Sequence, residues 1–211
     1  MNTSESVELM KERASLYSLL ARVYRREVDK SFLETLASLS VESDSAKFNE
    51  GLKESKEAIS NSEDAILDFA VDYARIFLGA GIAKGVAAYP YESVYTSKDR
   101  LVMQEAYEKV VKIFRANGVG KLDADLYEDH AALELEFMSL LCRRAVELIE
   151  KGDEAGLEEN LDLQKSFLNE HLLNWMPEFL ETIRRCPGSG FYKGFSKATE
   201  AFLGMEKELF G

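Results

Sequence analysis

The stretch 126-LYEDHAALELEFMSLLCRRAVELIEK-151 decides the fold class. Leu133, Phe137, Leu140, Leu141 and Leu148 recur at helical spacing and give one broad apolar face. Gly152 follows the last periodic residue as a stop signal, and Asp125 and Glu128 stand three apart at the start as a capping box does. The run is too regular for a loop and does not alternate as a strand does. A helix over about 126–151 is expected.

The same period extends outward in both directions. Toward the C-terminus a helix should begin near Asp153, with Leu157, Leu161, Leu168 and Leu172 on one side. Asn174 and Pro177 should restart or kink the path before Cys186-Pro187-Gly188 breaks it. A last helix is expected over about 191–210. Toward the N-terminus the period resumes over about 98–116 (Val102, Ala106, Val110, Ile113) and stops at Asn117-Gly118. Earlier helices are expected over about 7–27 and after a Ser31–Glu34 capping box; a more polar segment around Phe48 and Leu52 then leads to another helix, where Ile66, Phe69, Tyr73, Ile76 and Phe77 line one side. The fold class is therefore all-α, a helical bundle of about eight to ten helices. The exception is Gly79–Ser97, with three glycines, a proline and no helical period. Loops of that length tend to be functional. It reads as a hinge over 79–97 between parts 1–78 and 98–211 of a single domain, with a monomer and a minor swapped dimer expected.

Composition narrows the function. The net charge is −12, and 14 acids against 5 bases fall between Lys121 and Glu170. Nucleic acid is a poor partner for such a surface, since phosphate binding needs a surplus of Lys and Arg; a cationic partner suits it. Cys142 and Cys186 form no CxxC pair, and a reducing compartment is the simpler reading. The acidic start MNTSESVELMKE lacks a signal peptide's basic region, and no apolar run is long enough for a membrane helix. A cytoplasmic protein without membrane insertion is expected.

Catalytic motifs are missing. Gly79–Gly85 does not match a phosphate-binding loop, and neither His130 nor His171 has Glu three residues before it, as a di-iron helical site requires. His130 and Glu134 share a helix face at i,i+4, but two ligands are only half of a closed zinc site. No cofactor or metal is expected. The doublets Arg25-Arg26, Arg143-Arg144 and Arg184-Arg185 read as solvated helix surface. Asp129-His130 opens the most regular helix, where Asp129 offsets the helix dipole and His130 can be an ordinary helix residue. Tyr73 and Phe77 at i,i+4 read as core, whereas Tyr89, Tyr91 and Tyr95 have no helical face to belong to.

Four elements in order resemble one family. They are Tyr73-x-x-Ile-Phe77-x-Gly79, Pro90-Tyr-Glu-Ser-Val-Tyr95, Glu128-Asp129-His130 followed by Leu-Glu-Leu-Glu-Phe-Met, and Phe167-x-x-x-His171-Leu-x-x-Trp175-x-x-x-Phe179. The chain is similar over about residues 9–203 to the TorD–DmsD–NarJ redox-enzyme maturation chaperones, the TorD-like branch most closely. The resemblance implies a non-enzymatic, cytoplasmic chaperone. Its partners would be the twin-arginine signal peptide and the apoenzyme of a molybdenum-dependent oxidoreductase, with cofactor insertion assisted and export held back until assembly. It carries leader binding to Asp129 and His130, then to Glu92, Ser93 and Tyr95, with Pro90, Tyr73 and Phe77 beside them. Physical chemistry is consistent: guanidinium pairs with carboxylates in forked geometry, and the leader's apolar segment needs an aromatic-walled groove. A helical adaptor using the same acidic face for another partner is the alternative.

Overall fold

The structure, a computed structural model, describes residues 3–39, 43–81, 86–120 and 123–210. Among these residues are α1 (Thr3–Arg25), α2 (Lys30–Ser38), α3 (Ala46–Asn61), α4 (Ala65–Phe77), α5 (Glu92–Thr96), α6 (Glu105–Ala116), α7 (Ala131–Lys151), α8 (Glu154–Phe167), α9 (Leu173–Arg185) and α10 (Gly190–Leu209). A π-helical turn, Leu168–Leu172, joins α8 to α9, and no strand occurs among the described residues. The all-α expectation holds. No described helix is long and apolar enough to cross a membrane. Cys142 and Cys186 are buried thiols that form no disulfide.

The chain divides into two compact units that interleave along the sequence, Met1–Arg25 with Tyr91–Trp175, and Arg26–Pro90 with Met176–Gly211. In the first unit α1 packs along α7, burying Tyr17, Leu20, Val23 and Tyr24. Each such side chain contributes about 1.5–3 kcal/mol on burial. The Ser139 hydroxyl donates to the Ala14 carbonyl at 2.7 Å and ties the two helices together. Phe137 lies 4.7 Å from Phe114 and 4.9 Å from Phe167, so α6 and α8 close on the same helix. From Ala131 to Ser139 every residue of α7 except Glu136 is buried, which makes it the central helix of this unit.

The second unit is built on α3 against α10. A Cβ on Gly51 would stand 2.6 Å from the backbone N of Ala198 and the carbonyl of Gly194, so both backbones meet only because glycine is there. Ser55 donates across the contact to the Phe191 carbonyl at 2.9 Å. Phe69 of α4 stacks on Phe191 at 4.3 Å, and Asp72 accepts from the Ser189 amide at 2.6 Å, capping the turn that enters α10. Gly79, at φ 69°, lets the chain turn back after α4, and the Ala88 amide reaches the Ile76 carbonyl.

Several boundaries differ from those the sequence suggests. The cap of α2 is Asp29, which accepts from the Phe32 amide, and Ser31 lies inside the helix. The helix expected from residue 98 begins at Glu105, because Arg100 and Met103 sit at φ 51° and 58°, outside helical space. The central helix begins at Ala131 rather than near 126, and its cap is His130. Just before it the backbone pairs elsewhere: Tyr91 and His130 form an isolated antiparallel bridge, and the Glu92 amide donates to the Asp129 carbonyl at 2.9 Å. Ile66 is exposed, unlike Phe69, Tyr73, Ile76 and Phe77. Asn174 does not interrupt the path, and Pro177 lies within α9. Of the loop 79–97, residues 82–85 lie outside the described residues, and its last part is helical as α5.

Candidate functional site

α5 has no cap of its own, since Tyr91 at its N-terminus makes no side-chain cap bond. Asp129 supplies one from 36 residues away: its Oδ2 accepts from the Ser93 amide at 3.0 Å, while its carbonyl accepts from Glu92. A carboxylate on these first amides also meets the positive end of the short helix. The Ser93 hydroxyl accepts from the Gln104 amide at 3.1 Å and so ties the loop before α6 to the same place. The local backbone of 91–104 thus hangs on Asp129.

His130 has a different duty. Its Nδ1 accepts from the Ala132 amide at 3.0 Å as the cap of α7, and Tyr91 meets its ring edge-on at 4.9 Å. That nitrogen must be unprotonated to accept. Burial, and after it the positive charge of Arg25, hold the imidazole down to about 3, with Asp123 pulling weakly the other way. Arg25 is not free surface: it bonds Asp123 at 3.1 Å and also Glu136. Arg184 likewise binds Glu200 at 3.1 Å.

Below Asp129 lies a buried group that sequence reading did not assemble. Glu92 Oε2 and His171 Nδ1 are 2.7 Å apart, and the Trp175 indole donates to Glu134 Oε2 at 3.0 Å. All of these residues are buried, with Asp129 and Glu134 at 0% exposure. Asp129 Oδ1 and Glu134 Oε1 have no hydrogen-bond partner among the described residues. Burial, and next the charge of Glu92, push the Glu134 carboxyl well above the usual carboxylate range. Burial also raises Asp129, opposed by the hydrogen bonds from Ser93. Tyr91 is pushed up to about 12 by burial and then by the charge of Asp129. Glu134 had been paired with His130 on helix spacing; instead it faces Glu92 and His171, because His130 is committed to the helix cap. The signal for it was a carboxylate set between Leu133 and Leu135 on the most apolar helix.

His171 sits in the π-helical turn, where the wider turn re-aims its ring against Phe167 at 4.8 Å. Glu92 and His171 line a cavity of about 560 Å³, walled also by Thr96, Gln104, Glu170 and Asn174. Of the expected site residues, Glu92, Ser93, Tyr95, Asp129 and His130 come together in this unit. Tyr95 is half-buried, its ring 5.5 Å from Trp175. Pro90, Tyr73 and Phe77 belong to the other unit and are buried there, with Tyr73 and Phe77 packed around Tyr192.

The family model described as "Nitrate reductase delta subunit" matches residues 41–181. The chain is 30% identical to "Chaperone protein TorD" of Vibrio cholerae serotype O1 (strain ATCC 39315 / El Tor Inaba N16961), over 94% of this chain and 92% of that one. It is 28% identical to the protein of the same name from Vibrio parahaemolyticus serotype O3:K6, over 92% and 93%. It is 29% identical to that from Aliivibrio fischeri, over 84% and 79%. The chain belongs to the nitrate reductase delta subunit family of TorD/NarJ-like redox-enzyme maturation chaperones.

Proposed function

We propose that this chaperone binds the twin-arginine signal peptide and the apoprotein of a molybdenum-containing oxidoreductase, in the cytoplasm. In doing so it assists cofactor insertion and holds back export until assembly is complete. The observation that carries this reading is the cavity that has Glu92 in its wall beside Glu170, over the buried carboxyls of Asp129 and Glu134. A guanidinium group is the natural complement of a carboxylate with an unused acceptor oxygen, and Asp129 Oδ1 is such an oxygen. The surrounding negative charge speeds capture of a cationic peptide. Because Asp129 is fully buried, the arginine must enter by loosening the Glu92–Tyr95 segment that Asp129 caps. Binding and local opening are then one event.

The test uses a synthetic leader with paired arginines and an apolar segment, titrated by calorimetry. Asp129→Asn keeps the shape and removes the charge, and should weaken binding by about 1–3 kcal/mol. Added salt should weaken wild-type binding more than it weakens the variant. Amide exchange of residues 92–95 should change when the leader binds. Equal binding by folded wild type and Asp129→Asn would remove Asp129 from the site. Failure of any twin-arginine leader to bind, with capture of an unrelated protein instead, would favour a general acidic adaptor.

A further inference from the structure

We propose that Glu92, Glu134 and His171 form a binding site for one divalent transition-metal ion of the Zn²⁺ class. One ligand atom from each residue lies within 4.8 Å of the other two, and all three side chains are buried. Around a tetrahedral ion with ligands at about 2.0–2.2 Å, ligand atoms stand about 3.3 Å apart. The site needs only a modest contraction of Glu134 and a small widening of the 2.7 Å Glu92–His171 contact.

The chemistry of the group suits such an occupant. Among the described residues neither Glu92 nor Glu134 forms an ion pair with Lys or Arg; Glu92 meets His171 and lies against the Glu134 carboxyl. Two carboxylates balance a dication, and a neutral imidazole completes a three-ligand set without leaving net charge in a dry interior. Glu134 Oε1 is buried with no hydrogen-bond partner, although an acceptor in such a place is normally satisfied. The outer groups that orient ligands are present as well. Trp175 holds Glu134 by its other oxygen, and Phe167 stacks on the His171 ring. Because Glu92 and His171 also line the 560 Å³ cavity, the ion has an entry path, and a water can take the fourth position. The three residues come from α5, α7 and the π-helical turn, so the ion would pin the loop segment 92–96 to two other elements.

The experiment uses the tag-free, full-length chain, stripped with a chelator, reloaded with Zn²⁺ and desalted. One Zn²⁺ per chain should remain, with a rise in the unfolding temperature. Loading with Co²⁺ instead should give visible bands of nitrogen and oxygen coordination and no intense thiolate band in the near ultraviolet. Such a thiolate band would assign the ion to Cys142 or Cys186 and overturn the proposal. Glu134→Gln and His171→Gln should each lower Zn²⁺ affinity at least tenfold, while Glu158→Gln on the exposed surface of α8 should leave it unchanged. Folding of each variant is checked by circular dichroism, and should one not fold, X-ray absorption of the wild-type Zn²⁺ form decides the ligand set. Substoichiometric retention by wild type, or equal affinity in folded Glu134→Gln, overturns it.

Discussion

The α3–α10 contact and the Asp129–Glu134 region are both buried, yet they are held by opposite means. In the first, Gly51 and Gly194 bring two backbones together and Ser55 satisfies its hydroxyl across the gap. In the second, carboxyls from α5, α7 and the segment before α7 are buried together, Trp175 bonds one of them, and two of their oxygens have no hydrogen-bond partner among the described residues. A contact built for stability fills space and pairs its polar atoms. A buried polar group left incomplete costs free energy, so it points to a ligand or partner that completes it. The filled contact and the incomplete polar group lie in different units of the same chain.

The sharpest way to break the comparison is to overfill the glycine contact. Gly51→Ala gains about 1 kcal/mol of helix propensity but places a methyl 2.6 Å from backbone that cannot swing aside. The clash should dominate, destabilising the protein by about 3 kcal/mol or more in denaturant titration. A neutral or stabilising result would show that the contact is looser than described.

The polar region should reveal itself through pH. His130 has its pKa depressed from 6.5 to about 3, so the stability it confers is complete above pH 6.5 and is lost as pH falls toward 3. His130→Asn keeps a capping acceptor and cannot titrate, and Asn is a favoured cap. Relative to wild type, it should gain about 2–3 kcal/mol between pH 7 and pH 4.5, read from chemical unfolding at each pH. Parallel curves for the two proteins would place the acid-sensitive group elsewhere. Glu134 has the opposite sign. Its pKa is raised, so its contribution is present at low pH and lost as pH rises through the folded value. With a chelator present, Glu134→Gln should flatten the alkaline limb of the stability curve.

The smallest effect concerns self-association. The chain passes between its units at residues 25–26, 90–91 and 175–176. Exchange of a unit between two copies would therefore engage three connections, not the 79–97 loop alone. A minor dimer that grows with concentration, seen by light scattering, is expected; a strict monomer at all concentrations would remove the hinge reading of 79–97.

Local chemistry explains what could be read in advance. The periods of α1, α4, α7 and α10 were visible because each helix carries apolar residues at helical spacing, and Gly152 with Asp153 marked a real junction: one ends α7 and the other caps α8. α5 was not visible because its cap comes from Asp129, far away in sequence. The start of α7 was misplaced because Asp125 and Glu128 mimic a capping box, while the true cap is an imidazole whose tautomer only tertiary burial fixes. The roles of Gly51 and Gly194 leave no mark in the sequence, since a close approach belongs to two helices at once. The site was half legible: Asp129, His130 and the 92–95 segment were singled out, whereas Glu134 and His171 joined them only through the fold.

The pairing of α1 with α7 also has a kinetic side. The last residue of α1 is Arg25 and the first of α7 is Ala131, so a ribosome adding about 5–20 residues each second needs about 5–20 s to deliver the partner helix. Throughout that interval Tyr17, Leu20, Val23 and Tyr24 have no native surface to cover them. A protein whose family guards unfinished chains is thus for a time one itself, with α1 waiting unsheltered until α7 has been translated.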